Sequence, residues 1–237
     1  MFVEKLAPIS FDEGAWDHLV LNSKVKDLIK GLVEVTRQQN VSPRVVISDV
    51  IRGKGGGLAC VLHGPPGTGK TLTAEAVAEL LRRPLYVAGA TELTTDPSEL
   101  EKSLGKILDL ATSWDAVVLI DEADVFLEQR RLNELQRNSL VNAVLRLLEY
   151  HRGVHFLTTN RIAAFDPAFM SRISIAIKYP ELDQSSRFTV WSNFFQLAGY
   201  EIKDTADEPN TFTRDVVEQL ASKPFNGKQQ SLIVESL

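Results

Sequence analysis

The sequence contains a single cysteine, Cys60, which excludes an internal disulfide and fits a reducing compartment, cytoplasmic or nuclear. It has no apolar run near the roughly 18–20 residues that a membrane span requires. Its opening residues, MFVEKLAPIS, lack the basic start and long apolar stretch of a secretory signal. The four histidines, His18, His63, His151 and His155, show no metal-ligand spacing of the H-E-x-x-H kind. An excess of one charge is also missing. There are 26 basic residues against 31 acidic ones, a net charge of −5, so a general nucleic-acid-binding surface is not indicated. No internal repeat or low-complexity tract interrupts the chain. What is there is a folded composition, 44% hydrophobic and 24% charged, with enough apolar surface to offset the entropy of ordering a core.

Periodicity sets the organisation. Residues 22–39 carry Val25, Leu28, Ile29, Leu32 and Val33 at helical spacing behind Asn22, a suitable N-cap. Pro43 and the glycines Gly53, Gly55, Gly56 and Gly57 lead into a short apolar strand over 58–62. A helix over 71–83 is stopped by Pro84. Further strands are read at 85–88, 117–120, 154–159 and 173–179, with helices over 98–112 and 133–150. Strands alternating with helices predict an α/β fold, a mostly parallel sheet covered on both faces. After Pro180 the pattern turns helical. A helix over 183–198 has an aromatic face of Phe188, Trp191, Phe194 and Phe195, read as core. A polar loop at 203–210 and helices over 213–222 and 227–237 follow. Residues 1–180 thus form an α/β unit with a leading segment over 1–57, and residues 181–237 a small helical one. The last helix is still running at Leu237, so the helical part looks truncated and the chain resembles a module of a longer protein.

Between the strand at 58–62 and the next helix stand Gly64, Pro65, Pro66, Gly67, Thr68, Gly69, Lys70 and Thr71, a match to G-x-x-x-x-G-K-[ST]. Glycines let backbone N–H groups approach phosphate oxygens, and the helix N-terminus adds a favourable dipole. Lys70 places positive charge where the β- and γ-phosphates would lie, and the Thr71 hydroxyl can ligand Mg2+. The strand 117–120 runs into Asp121, Glu122, Ala123 and Asp124. Carboxylates at the C-terminal edge of a buried parallel strand lie where α/β folds bind ligands. Asp121 is read as holding Mg2+ through water, and Glu122 as orienting an attacking water. The letters DEAD invite a helicase reading, but no second motor domain fits in the remaining residues.

The strand at 154–159 ends at Asn160, whose amide can bond both a γ-phosphate and a lytic water; a turn-forming asparagine is the plainer alternative. Arg172, just before the strand at 173–179, is either a surface charge or, in an oligomeric ATPase, a group reaching a neighbour's γ-phosphate. Cys60 reads as buried and inert, and His63 as structural. Arg82 with Arg83, and Arg130 with Arg131, read as solvated helix ends.

In combination and in order, GPPGTGKT, VVLIDEAD, TTN and FDPAFMSRI resemble the AAA+ family of ATPases, specifically its AAA branch, over nearly the whole chain. The stretches VLHGPPGTGKTLTAEAVAE, RRPLY, DPSELE and LRLLEY are most similar to the AAA module near the C-terminus of large, poorly characterised fungal proteins. The resemblance implies a P-loop NTPase fold: a five-stranded parallel sheet in the order 5-1-4-3-2, sandwiched by helices and followed by a helical lid. It implies ATP and Mg2+ as cofactors and a homo-oligomer, usually a hexameric ring. Residues 64–71 with Leu72 and Asp121 would bind nucleotide, and Thr71 and Asp121 the metal. Glu122, Asn160 and Arg172 would be catalytic, the arginine acting in trans. Residues 16–20, including His18 and Leu19, resemble the family segment whose backbone contacts adenine, the other ring face lying against apolar lid side chains.

The sequence departs from the family in three places. The family usually carries two arginines after the Asp166, Pro167 and Ala168 stretch, and here only Arg172 remains. The region from Glu92 to Pro97 has no aromatic where threading motors have a pore-loop aromatic. Lys228, within Phe225, Asn226 and Gly227, falls at the position called sensor 2 and is either a γ-phosphate contact or a solvated helix residue. The expected function is Mg-dependent ATP hydrolysis that remodels a macromolecular partner. A nucleotide-gated oligomeric scaffold with little hydrolysis is the alternative. A P-loop kinase would need an acceptor site, of which the sequence gives no sign.

Overall fold

In a computed structural model the described residues are 9–12, 14–41, 57–89, 96–124, 144, 153–162, 167–205 and 210–235. The sheet forms from the most apolar segments: β1 (Leu58–His63), β2 (Leu85–Ala88), β3 (Val117–Ile120), β4 (Val154–Thr159) and β5 (Ile175–Lys178). All pairings are parallel and the order is β2-β3-β4-β1-β5, the 5-1-4-3-2 sheet that the resemblance implies. Every residue of β3 and β4 is buried, because parallel strands between two helix layers have no wet face.

Alternate side chains feed two cores. On one face Val61, Val118, Ile120 and Leu157 pack against Leu100, Leu104 and Leu108 of a helix spanning Pro97–Trp114. On the other face Cys60, Leu62, Val117, Leu119 and Phe156 meet the helices Ser23–Val41 and Lys70–Leu81, through Ile29, Val33, Ala74 and Val77. Trp16 and Leu19 of the leading segment join this second core. In chain order these helices are α1 (Ser23–Val41), α2 (Lys70–Leu81) and α3 (Pro97–Trp114), and α4 (Pro167–Met170) precedes β5. Asn22 caps α1, its side chain accepting from the Lys24 N–H at 3.0 Å.

The register brings the working ends of the strands to one edge. Thr159 lies opposite His63, Leu157 opposite Ile120, and Ile120 opposite Ala88. The chain leaving β1, β3 and β4 therefore emerges side by side, as in other open parallel sheets with a ligand crevice.

The lid comprises α5 (Gln184–Leu197), α6 (Arg214–Ser222) and α7 (Gly227–Val234). Asp183 and Thr213 cap α5 and α6 through their side chains, and Asn226 forms a capping box with Gln229 on α7. Trp191, Phe195, Val217, Ala221 and Val234 make the lid core, with Trp191 stacked on Phe195 at 5.7 Å and Phe195 tilted against Phe212 at 4.4 Å.

Some expectations shift. The polar stretch at 203–210 is flanked by two short parallel strands, β6 (Glu201–Lys203) and β7 (Thr211–Thr213). Three residues are too few for alternation to register in a sequence. The last helix, expected over 227–237, ends at Val234. The helix expected over 133–150 lies outside the described residues except Val144, which is helical and buried, and residues 92–95 lie outside them as well. Among the described residues no helix is long and apolar enough to cross a membrane.

Candidate functional site

From His63 the chain turns through residues 64–69 into α2. Gly67 and Gly69 take φ of 70° and 93°, the left-handed region in which only glycine is unstrained. At Gly64 (φ 147°) a Cβ would lie 2.1 Å from the Tyr179 carbonyl oxygen, so the close approach also demands glycine. Gly69 is the N-cap of α2 and offers no side chain to the first N–H groups, which leaves that helix end to a ligand. Lys70 is buried, and its Nζ donates to Gly64 O at 2.8 Å, Pro65 O at 2.7 Å and Asn160 Oδ1 at 2.9 Å. An ammonium has three protons, so all three are used within the protein. Burial lowers the Lys70 pKa from its ordinary value, and the charges of Asp121 and Asp124 oppose that shift.

The acidic pair sits across from the loop. Asp121 accepts from the Thr71 hydroxyl at 3.3 Å and from the Thr158 hydroxyl. Glu122 is exposed and its backbone is left-handed, φ 54°, an uncommon conformation for a side-chain-bearing residue. Thr158 holds that turn, taking the Glu122 N–H on Oγ1 at 3.1 Å and the Ala123 N–H on its carbonyl at 2.9 Å. Thr159 Oγ1 donates to Asp124 at 3.0 Å. Two adjacent hydroxyls at the end of β4 thus fix the carboxylates at the end of β3. The sequence reading used only the asparagine of the TTN triplet; the two threonines beside it were the available signal. Thr71 and Asp121 present a hydroxyl and a carboxylate oxygen within one hydrogen bond of each other. That donor set fits a hard divalent cation such as Mg2+, which takes one or two protein oxygens and keeps several waters.

Beyond the loop a cavity of about 650 Å³ opens between the leading segment, α2 and the lid. That size and its mainly apolar walls are typical of a small-molecule site. His18 and Leu19 line it from the leading segment; Gly67, Thr68, Gly69, Lys70, Thr71 and Leu72 line its floor. From the lid come Asn193, Phe194, Leu197, Lys228 and Leu232. Phe194, read from sequence as lid core, therefore serves the cavity as well. Asn193, which the sequence reading missed, donates to His18 O at 3.0 Å and ties the leading segment to the lid. The Gly227 N–H donates to Gly67 O at 2.8 Å, so the lid rests directly on the phosphate loop. Asp121, Glu122 and Asn160 lie outside the cavity lining, grouped at the Lys70 end. Arg172 is not brought to this group; it is exposed in the turn after α4, with Nη1 3.5 Å from Ser171 Oγ. Lys228 is exposed on α7 at the cavity wall.

The lid contact makes one expectation specific. A Cβ at Gly67 would fall 2.6 Å from Asn226 Cγ, at a φ that alanine tolerates poorly. Gly67→Ala is expected to lower Tm by roughly 2–8 °C, from about 1–2 kcal/mol of backbone strain. Thermal unfolding of the two proteins measures the shift.

A family model described as "ATPase family associated with various cellular activities (AAA)" matches residues 60–181. Over 201 residues the chain is 26% identical to a "Putative 26S proteasome regulatory subunit homolog" of Methanothermobacter thermautotrophicus, covering 81% of this chain and 50% of that protein. It is 32% identical over 135 residues to "ATPase family AAA domain-containing protein 3B" of Homo sapiens, 54% of this chain and 20% of that one. It is 28% identical over 191 residues to "CD-NTase-associated protein 6" of Pseudomonas aeruginosa, 70% and 60% respectively. The chain spans half or less of the length of the first two of these relatives.

Proposed function

The chain belongs to the AAA family of ATPases, and from that membership we propose that it binds ATP with Mg2+ beneath the lid and hydrolyses it. One observation carries this reading. At a single sheet edge Lys70 Nζ meets Asn160 at 2.9 Å, while the Thr71 hydroxyl meets the Asp121 carboxylate at 3.3 Å.

In this reading the phosphates rest on the backbone N–H groups of residues 67–71, since Pro65 and Pro66 have none and the Gly64 N–H is given to Thr159 O, and Lys70 exchanges one of its three protein acceptors for a phosphate oxygen. Mg2+, when bound, supplies positive charge that neutralises and orients the phosphate oxygens. The Thr71 hydroxyl would hold it directly and Asp121 through water. Asn160, given up by Lys70, bonds the γ-phosphate and the lytic water. Glu122 orients that water and accepts its proton. Little covalent work falls to the protein, so positioning and charge stabilisation suffice for phosphoryl transfer. His18 and Leu19 meet adenine, and the exposed leucines Leu72, Leu197 and Leu232 offer it apolar walls.

Residues 1–180 act as the nucleotide-binding unit and 181–237 as the lid. The finer likeness to fungal AAA modules belongs to the same proposal. Hydrolysis serves to remodel a macromolecular partner within a homo-oligomer, the hexameric ring usual in the family. Similarity to a protein named as a proteasome regulatory subunit homolog supports a protein as that partner. Arg172, exposed after α4, acts on the neighbouring chain's γ-phosphate.

Phosphate release per chain, measured across protein concentration, tests the proposal. An arginine supplied in trans is worth about 10³–10⁵ in rate, so activity should climb steeply as chains assemble and Arg172→Ala should stay low throughout. Activity that is independent of concentration contradicts a role in trans. Silence at every concentration, with ATP still driving assembly, favours the scaffold.

A further inference from the structure

We propose that Tyr179 is a positioning residue that holds both ends of the phosphate loop from the short connection between β5 and the lid. The inference rests on the ATP-binding reading above and deepens it.

Tyr179 is 1% exposed, although it stands in no strand or helix. At the near end of the loop its N–H donates to His63 O at 2.7 Å, and its carbonyl oxygen lies so close to Gly64 that a Cβ there would be 2.1 Å away. Its side chain spans to the far end. The Tyr179 hydroxyl is 2.7 Å from Thr73 Oγ1, and Thr73 Oγ1 donates to Gly69 O at 2.9 Å. A threonine hydroxyl has one proton, already given to Gly69, so the tyrosine must be the donor to Thr73. Burial pushes the Tyr179 pKa up to about 12, so that proton is present at any working pH. The direction is therefore fixed: Tyr179 to Thr73 to the Gly69 carbonyl.

The consequence follows from the planar peptide. In a trans peptide the C=O and the next N–H point opposite ways. The Gly69 carbonyl is drawn back into α2 by the Thr73 hydroxyl and by the Thr73 N–H at 3.0 Å. The Lys70 N–H is thereby aimed out of the helix end, toward the place where phosphate is expected. Gly69 is left-handed, φ 93°, and supplies no side chain to hold this plane, so the relay from Tyr179 does it. Neither Tyr179 nor Thr73 lines the cavity assigned to the base. The relay should matter to phosphate and not to adenosine.

The test is calorimetric titration of the full chain with Mg·ATP and, separately, with adenosine. Wild type, Tyr179→Phe, Thr73→Val and the double variant are compared; each substitution removes a hydroxyl and keeps the packing shape. Each single change is expected to raise the Mg·ATP dissociation constant roughly three- to tenfold, the worth of one hydrogen bond. The double variant should be no worse than either single one, because one chain is cut in two places. Adenosine affinity should stay at the wild-type value, which also reports a folded cavity. Unchanged Mg·ATP affinity in both single variants overturns the proposal. So do additive losses, and so does an equal loss for ATP and adenosine, the mark of general loosening. A wild-type chain that binds no Mg·ATP is a different result, which removes the ATP reading itself.

Discussion

Glu122→Gln should slow phosphate release by a factor of about 10²–10⁴, the usual worth of a positioned general base, while ATP stays bound. Glutamine keeps the size of the side chain and its ability to point at a water. It loses the negative charge that polarises that water and takes up its proton. The substitution leaves the surroundings intact, because Thr158 holds Glu122 by its backbone N–H and the side chain is exposed. Asp121, which bears the contact to Thr71, is untouched. Phosphate release and equilibrium ATP binding on the same preparation separate the two effects. Equal rates for wild type and variant would remove Glu122 from the chemistry.

Lys70→Ala is expected to act earlier, on binding. A hydrogen bond to an ionised group contributes about 1.5–3 kcal/mol, so losing the contact to phosphate should weaken Mg·ATP binding by roughly 10- to 100-fold. The substitution also strips a donor from Gly64 O, Pro65 O and Asn160 Oδ1 at once. The loop should loosen, and turnover should fall along with affinity. Adenosine, which carries no phosphate, should lose only what the loosened cavity floor costs, so the excess loss for ATP over adenosine in parallel titrations isolates the ammonium's part.

Much of this was legible in the sequence, for a physical reason. β3 begins and ends where its apolar run does, because a parallel strand covered on both faces tolerates no polar alternation. The phosphate loop is contiguous, so its spacing is written along the chain. Asp121 and Glu122 were legible because the run VVLI ends on them. Contacts across long stretches of chain were not legible. The Tyr179 bond to Thr73 joins residues 106 apart, and the Asn193 bond to His18 residues 175 apart. Periodicity carries no trace of such pairs. Phe194 shows another limit: α5 packs one face into the lid core and turns another to the cavity, so its aromatic stripe serves both. The part assigned to Arg172 depends on a second chain, and a single chain fixes only its exposure after α4.

The most direct test of the central claim is an experimental structure of the chain with Mg2+ and a non-hydrolysable ATP analogue. The account predicts the base between residues 18–19 and the lid leucines. It places the metal on the Thr71 hydroxyl, with Asp121 holding it through water, and a γ-phosphate oxygen on Lys70 Nζ in place of one protein acceptor. A nucleotide bound outside this cavity, or phosphates resting away from Lys70 with its bond to Asn160 unchanged, would contradict it.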